Sequence, residues 1–328
     1  VKYLVTGATG FIGPHLIKQL IEQGHACRCL VRSEKSAQKL QAYPVEIFNG
    51  DITRPATLQG AADGVDRVLH LATLGHMSNF SVPPQMFEDI NVTGMHNVMQ
   101  EALRAGVARV VHCSSVAAMG ICREVPADEK SACRPHHPYG RSKLKAEQEV
   151  RRMVVDQGLQ AVIVRFSMVY GPGDWRDILK LARLAQKGLF PKVGRRPKLT
   201  PLIHVEDAVR GLLLAAEKGR VGETYLITNA ESIPFDDIRR ILQTALGIRR
   251  LPLYVPEGIA LTAAALIEKA FTLIGKSPPV ARKNIESTLA DRIFSIAKAQ
   301  REIGFNPQVD PVDGLKETVA WYKAQGWV

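Results

Sequence analysis

The chain has 328 residues, 46% of them hydrophobic and 23% charged, and 43 Lys and Arg against 32 Asp and Glu leave a formal charge of +11. This composition excludes a disordered, collagen-like or membrane-spanning protein and predicts a globular one with a sizeable core. The basic excess admits nucleic acid, an anionic membrane surface or an acidic small ligand, and charge alone does not choose among them.

In chain order, short apolar runs at 2–6, 26–31, 45–49, 67–70, 109–113 and 161–165 read as buried strands. Helix-length amphipathic segments at about 12–23, 56–62, 88–105, 139–156 and 205–218 alternate with them, several stopped by glycine at Gly24, Gly106, Gly158 and Gly219. That alternation predicts an α/β fold with a doubly wound parallel sheet. After Gly171-Pro172-Gly173 strands become sparse and Pro and basic residues increase. The expected division is a dinucleotide-binding domain over 1–170, rejoined by about 205–230 through a strand at 224–228, and a smaller substrate-binding lobe from 171–204 and 231–328.

The five cysteines, Cys27, Cys29, Cys113, Cys122 and Cys133, are odd in number and form no CxxC pair. They read as small buried hydrophobes in a reducing environment, and a cytoplasmic location is expected. No signal-like start is visible. The longest charge-free apolar stretch, 258–267, is too short for a hydrocarbon layer that needs ~20 residues. No His, Cys, Asp and Glu spacing suggests a metal site, so none is expected.

The first strand runs into Thr6-Gly7-Ala8-Thr9-Gly10-Phe11-Ile12-Gly13 and then into a helix. Glycines there let the backbone approach a pyrophosphate, and free N–H groups at the helix start receive its negative charge. The candidate phosphate-binding residues are Gly7, Thr9, Gly10, Phe11, Ile12 and Gly13. Further along, Tyr139 and Lys143 stand four apart at the start of a predicted helix and share one face. A phenol with an ordinary pKa of about 10 is a poor base at neutral pH, and a nearby ammonium favours its ionised form.

The spacing G-x-x-G-x-x-G, the YxxxK pair and the Ser114-Ser115 pair before them resemble the extended short-chain dehydrogenase/reductases. This is the NAD-dependent epimerase/dehydratase group, with likeness to 3β-hydroxysteroid dehydrogenase and dihydroflavonol reductase types. The resemblance implies a Rossmann fold with Ser115, Tyr139 and Lys143 catalytic, Lys143 also holding the nicotinamide ribose. It implies Asp51 and Ile52 at the adenine, Leu71, Ala72 and Thr73 beside the cofactor, and cofactor contacts from Asn91 and Phe166. The second strand ends Val31-Arg32-Ser33 where NAD-preferring members carry Asp. NADP is therefore expected over NAD, with Arg32 and Ser33 at the 2′-phosphate. His136 and His137 read as loop or pocket-rim residues, and His204 as structural at a helix start.

Met168 and Thr200 stand where sugar-nucleotide members commonly place substrate-phosphate ligands. The leading reading is thus hydride transfer at a secondary alcohol or ketone. A nucleotide-sugar epimerase or dehydratase with retained cofactor, and a catalytically silent cofactor-sensing protein, are the alternatives. The +11 is concentrated in Arg176, Lys180, Arg183, Lys187, Lys192, Arg195, Arg196 and Lys198 against one acid, Asp177. The first four fall on one helical stripe opposite Ile178, Leu181, Ala182 and Ala185. No reader motif accompanies the segment, so nucleic acid is not an expected partner. A solvated face, an anionic substrate tail and an acidic membrane surface remain for it, and a homodimer is left open.

Overall fold

The computed structural model describes residues 1–75, 82–122, 124–249, 253–274, 282, 285 and 289–328. Strands β1 (Lys2–Thr6), β2 (Ala26–Val31), β3 (Glu46–Asn49), β4 (Arg67–His70), β5 (Arg109–Ser115) and β6 (Ala161–Phe166) belong to one sheet. Three short strands follow, β7 (Met168–Tyr170), β8 (Lys192–Val193) and β9 (Leu199–Thr200), then β10 (Leu202–His204) and β11 (Thr224–Ile227). The last two are β12 (Ile233–Pro234) and β13 (Tyr254–Val255). The sheet has seven strands in the order β11-β6-β5-β4-β1-β2-β3, every neighbouring pair parallel. The order reverses between β1 and β4, and the strand ends there open a crevice.

The helices are α1 (Ile12–Glu22), α2 (Glu34–Gln38), α3 (Pro84–Glu88), α4 (Met95–Arg104), α5 (Pro138–Gln157) and α6 (Asp177–Gln186). They continue with α7 (Val205–Lys218), α8 (Phe235–Leu246), α9 (Glu257–Leu273), α10 (Ala297–Ile303) and α11 (Pro311–Ala324). Side chains of β1 alternate between the two faces, as strand geometry requires. Tyr3 and Val5 join Leu16, Leu20, Leu212 and Phe305 on the side of α1 and α7. Leu4 joins Val68, Met99, Val150 and Met153 on the side of α4 and α5. A third cluster, Tyr170, Ile178, Ala182, Phe190, Leu242 and Tyr322, gathers α6, α8 and α11.

Two expectations need correction. The segment expected as a helix at 56–62 forms only a 3₁₀ turn, Pro55–Leu58, because Gly60 at φ +84° and Gly64 at φ +65° interrupt it. The single helix expected at 88–105 is α3, a π turn over Asp89–Gly94, and α4. Gly219 stops α7 as expected, in extended backbone at φ −62°, where a Cβ would lie 2.5 Å from the Ala215 carbonyl oxygen.

Candidate active site

The turn after β1 is built for close approach. Gly7 sits at φ +73°, and a Cβ on it would lie 2.6 Å from the Ala72 nitrogen. A Cβ on Gly13 would lie 2.1 Å from the Ala8 carbonyl oxygen. Gly10 N–H donates to the Gly7 carbonyl at 3.0 Å, closing the turn. α1 then begins at Ile12 with no side-chain cap, so its first N–H groups stay available to an anion. This glycine-lined cradle is what a dinucleotide pyrophosphate requires.

The neighbouring strand ends carry the other expected cofactor residues. Leu71 and Thr73 line the same cleft as Ile12, while Ala72 N–H donates to Thr6 Oγ1 at 3.2 Å. At the far side, Arg32 is exposed at the end of β2, and its charge helps hold the Asp51 carboxyl below its ordinary range, together with bonds from Thr53 that outweigh burial. Ser33 caps α2 through Ser36 N–H. Ile52 is buried, and a Cβ on Gly94 would strike it at 2.8 Å. Asn91 has its amide engaged by the protein: its oxygen accepts from Thr73 Oγ1 and Leu74 N–H, and its nitrogen donates to the Leu74 carbonyl and to Ser142 Oγ. It ties the loop after β4 to α5.

Ser115 ends β5, one residue beyond Ser114, and alternation sends the two hydroxyls to opposite sides. Ser114 Oγ donates to the buried Glu147 carboxylate at 2.6 Å. Ser115 Oγ accepts from Ala117 N–H at 3.2 Å and lines the same cleft as Tyr139. α5 approaches this turn closely because residue 140 is glycine: a Cβ there would meet the Ala117 carbonyl at 2.4 Å. His137 caps α5, its Nδ1 accepting from Gly140 N–H at 2.9 Å, and burial lowers its pKa to about 4 so the ring is neutral and able to accept. The same ring lies near-parallel to Tyr139 with centroids 6.3 Å apart, and Phe87 packs from another side.

Burial raises the Tyr139 phenol above its ordinary pKa, opposed by the nearby Ser115 hydroxyl and the Arg176 charge. Lys143 Nζ donates to the Cys113 carbonyl at 2.5 Å, and burial lowers its pKa to about 8. One turn further, Glu147 accepts two bonds from Arg165 at 2.9 and 2.7 Å and one from Arg151 at 3.1 Å. Burial would raise that carboxyl, but Arg165, Ser114 and Arg151 outweigh it and hold it low.

Tyr139, Ser115 and Lys143 face a cleft of about 180 Å³ that also meets Phe166, Met168 and Val169. Sequence reasoning missed two of its walls, Arg176 and Arg292. The sequence places Arg176 on a basic stripe open to a solvated face, an anionic substrate tail or a membrane surface. In the structure it pairs with buried Asp174 at 3.1 Å and lies 4.9 Å from the Phe11 ring centre. The signal available was its place at the helix start, outside the apolar periodicity of α6. Leu181, assigned to the buried side of α6, is only partly buried, whereas Leu179 is buried. His204 caps α7 through Glu206 N–H, as expected of a structural residue. No group of three or more metal-ligating side chains occurs among the described residues.

Residues 3–228 match the NAD dependent epimerase/dehydratase family. The chain belongs to that family. Its members with similar sequences include sterol demethylase protein B of Methylococcus capsulatus, 31% identical over 99% of each chain. The 2-alkyl-3-oxoalkanoate reductase of Stenotrophomonas maltophilia is 29% identical over 98% of this chain and 99% of that protein. Among solved structures, gox2253 superposes with a TM-score of 0.84 at 32% identity, covering 99% of both chains. DesIV, a dTDP-glucose 4,6-dehydratase from Streptomyces venezuelae solved with NAD and TYD bound, superposes at 0.79 with 27% identity, covering 100% of this chain and 98% of its own. Named dehydrogenases, reductases and epimerases populate the family, and this family member is an enzyme of that oxidoreductase type. No helix among the described residues is long and apolar enough to cross a membrane.

Proposed function

We propose that this family member is an NADP-dependent reductase of a bulky ketone, working reversibly on the corresponding secondary alcohol. The observation that carries the reading is that Ser115, Tyr139 and Lys143 line one cleft that reaches Ile12 of the glycine turn. When bound there, a reduced nicotinamide supplies the hydride to the carbonyl carbon. Ser115 Oγ holds the carbonyl oxygen, and Tyr139 donates its proton to that oxygen as it becomes an alcohol. A phenol whose pKa is raised by burial remains protonated and ready for this task. The Lys143 ammonium stabilises the phenolate left behind and, fixed to the end of β5, is held for the nicotinamide ribose.

Gly7, Thr9, Gly10, Phe11, Ile12 and Gly13 would hold the pyrophosphate, and Arg32 the 2′-phosphate, with Ser33 capping α2 beside it. Residues 171–204 and 231–328 form the substrate-binding lobe in this reading. Phe166, Met168 and Val169 give the cleft an apolar wall, suited to a bulky ketone such as the 2-alkyl-3-oxoalkanoate for which one relative is named. Met168 and Thr200 argue against a sugar diphosphate.

The test is to mix purified protein with NADPH and a panel of branched and polycyclic ketones and follow the reduced nicotinamide absorbance. Its loss with ketone is the expected result. A protein that purifies with cofactor bound and interconverts nucleotide sugars without net absorbance change would replace this reading with the epimerase one.

A further inference from the structure

Helix α9 is built inside out. Its buried side carries Ala260 and Ala264, whereas Ile259, Leu266 and Leu273 are 61%, 64% and 79% exposed. These three fall at i, i+7 and i+14, with Ala263 and Ala270 exposed between them, so they form one stripe along a helix of about 25 Å. Ile274, just beyond the helix, is exposed as well. Ordinary surface helices place their large aliphatic side chains inward, and a contiguous exposed apolar stripe marks a surface that meets something.

The surroundings of this helix identify the partner. β13 leads directly into α9 and pairs with β8, setting Tyr254 opposite Lys192. Gly194, in the turn after β8, packs against Glu257 at the start of α9. The basic segment therefore lies at the N-terminal end of the apolar stripe. The acids near it are engaged: Glu257 faces Lys198, Asp236 pairs with Arg239, and Asp237 pairs with Arg240. Among the described residues, Lys192, Arg195 and Arg196 have no ion pair, and Arg195 and Arg196 are exposed.

The geometry points to α9 and the Lys192–Arg196 turn as a docking surface for an anionic lipid bilayer. The apolar stripe lies in the plane of the interface, and the three cations meet anionic headgroups. The helix is apolar over most of its length and too short to span a bilayer, so it would seat at the acyl boundary while the basic turn at its start meets the headgroups. A second copy of the chain would cover the apolar stripe but gives the unpaired cations at its end no counter-charge, which anionic headgroups supply. The inference is independent of the reaction assigned to the cleft.

The test is flotation of the purified full chain with vesicles of phosphatidylcholine alone or mixed with phosphatidylglycerol. Binding to the mixed vesicles, weakened by salt and absent from the neutral ones, is the expected result. The Leu266→Glu/Leu273→Glu variant should lower binding about tenfold or more, and Arg195→Glu/Arg196→Glu should lower it on anionic vesicles. Both exposed pairs tolerate charge in the folded chain, checked by an unchanged thermal midpoint. No flotation with anionic vesicles overturns the proposal, as does equal binding to both vesicle types. A concentration-dependent dimer abolished by Leu266→Glu/Leu273→Glu also overturns it, assigning the stripe to self-association.

Discussion

In the proposed reaction Tyr139 is the proton donor, and its ring is flanked by His137 and Phe87. Tyr139→Phe keeps the ring packing and removes the transferable proton. It should lower kcat by about 10²- to 10⁴-fold while leaving NADPH affinity, read by fluorescence titration, nearly unchanged. Lys143 sets the pH dependence. With its pKa lowered by burial to about 8, it is charged below that value and loses its proton above it. Ketone reduction should therefore hold below about pH 8 and fall above it. Unfolding does not explain that fall, because the sign is opposite for stability: an unfolded lysine binds its proton up to its ordinary value of 10.5, so this group makes the fold more stable as pH rises from 8 to 10.5. Arg32→Ala should weaken NADPH binding about tenfold or more and leave NADH binding little changed, as the loss of one charge-assisted bond to phosphate predicts. Equal losses for both cofactors would remove Arg32 from the 2′-phosphate.

At the scale of elements, the site depends on how α5 is fastened to β5 and β6. Glu147, four residues after Lys143, is fully buried and joins Ser114 of β5 to Arg165 of β6. Glu147→Gln leaves the Arg165 guanidinium without its counter-charge, and breaking a buried pair in this way costs about 3–5 kcal/mol. Denaturant unfolding should show this loss at neutral pH. Because the folded carboxyl titrates below its ordinary value of 4.5, the stabilisation is present above that value and disappears as pH falls through the lower folded one. The seven sheet strands were legible to within two residues because buried parallel strands read as continuous apolar runs. The segments at 56–62 and 88–105 were not: a 3₁₀ turn and a π turn depend on local hydrogen-bond register, which apolar spacing does not encode. The π turn bears Asn91, whose amide bonds the loop after β4 and Ser142 of α5.

Across the whole molecule, residues distant in sequence meet at the reversal of strand order. Arg176 lies against Phe11 of the glycine turn, and the Pro172 carbonyl bonds His15 of α1 at 2.9 Å. A cofactor seated on the glycine turn adds to these contacts between the start of the chain and its middle. NADPH at a hundred times its Kd should stabilise the fold by about 2.7 kcal/mol, seen as a higher thermal midpoint. Gly13→Ala should abolish that rise, because its Cβ has no room against Ala8.

The sequence by itself determined the strand and helix alternation, the glycine turn and the spacing of Tyr139 and Lys143. Each is local, set by apolar periodicity or by backbone freedom within a few residues. The tertiary structure alone decided that Arg176 turns toward Phe11 and the cleft, and that α9 exposes its large side chains. Those outcomes depend on what packs against each element, and burial is a property of the assembled molecule that no window of sequence contains.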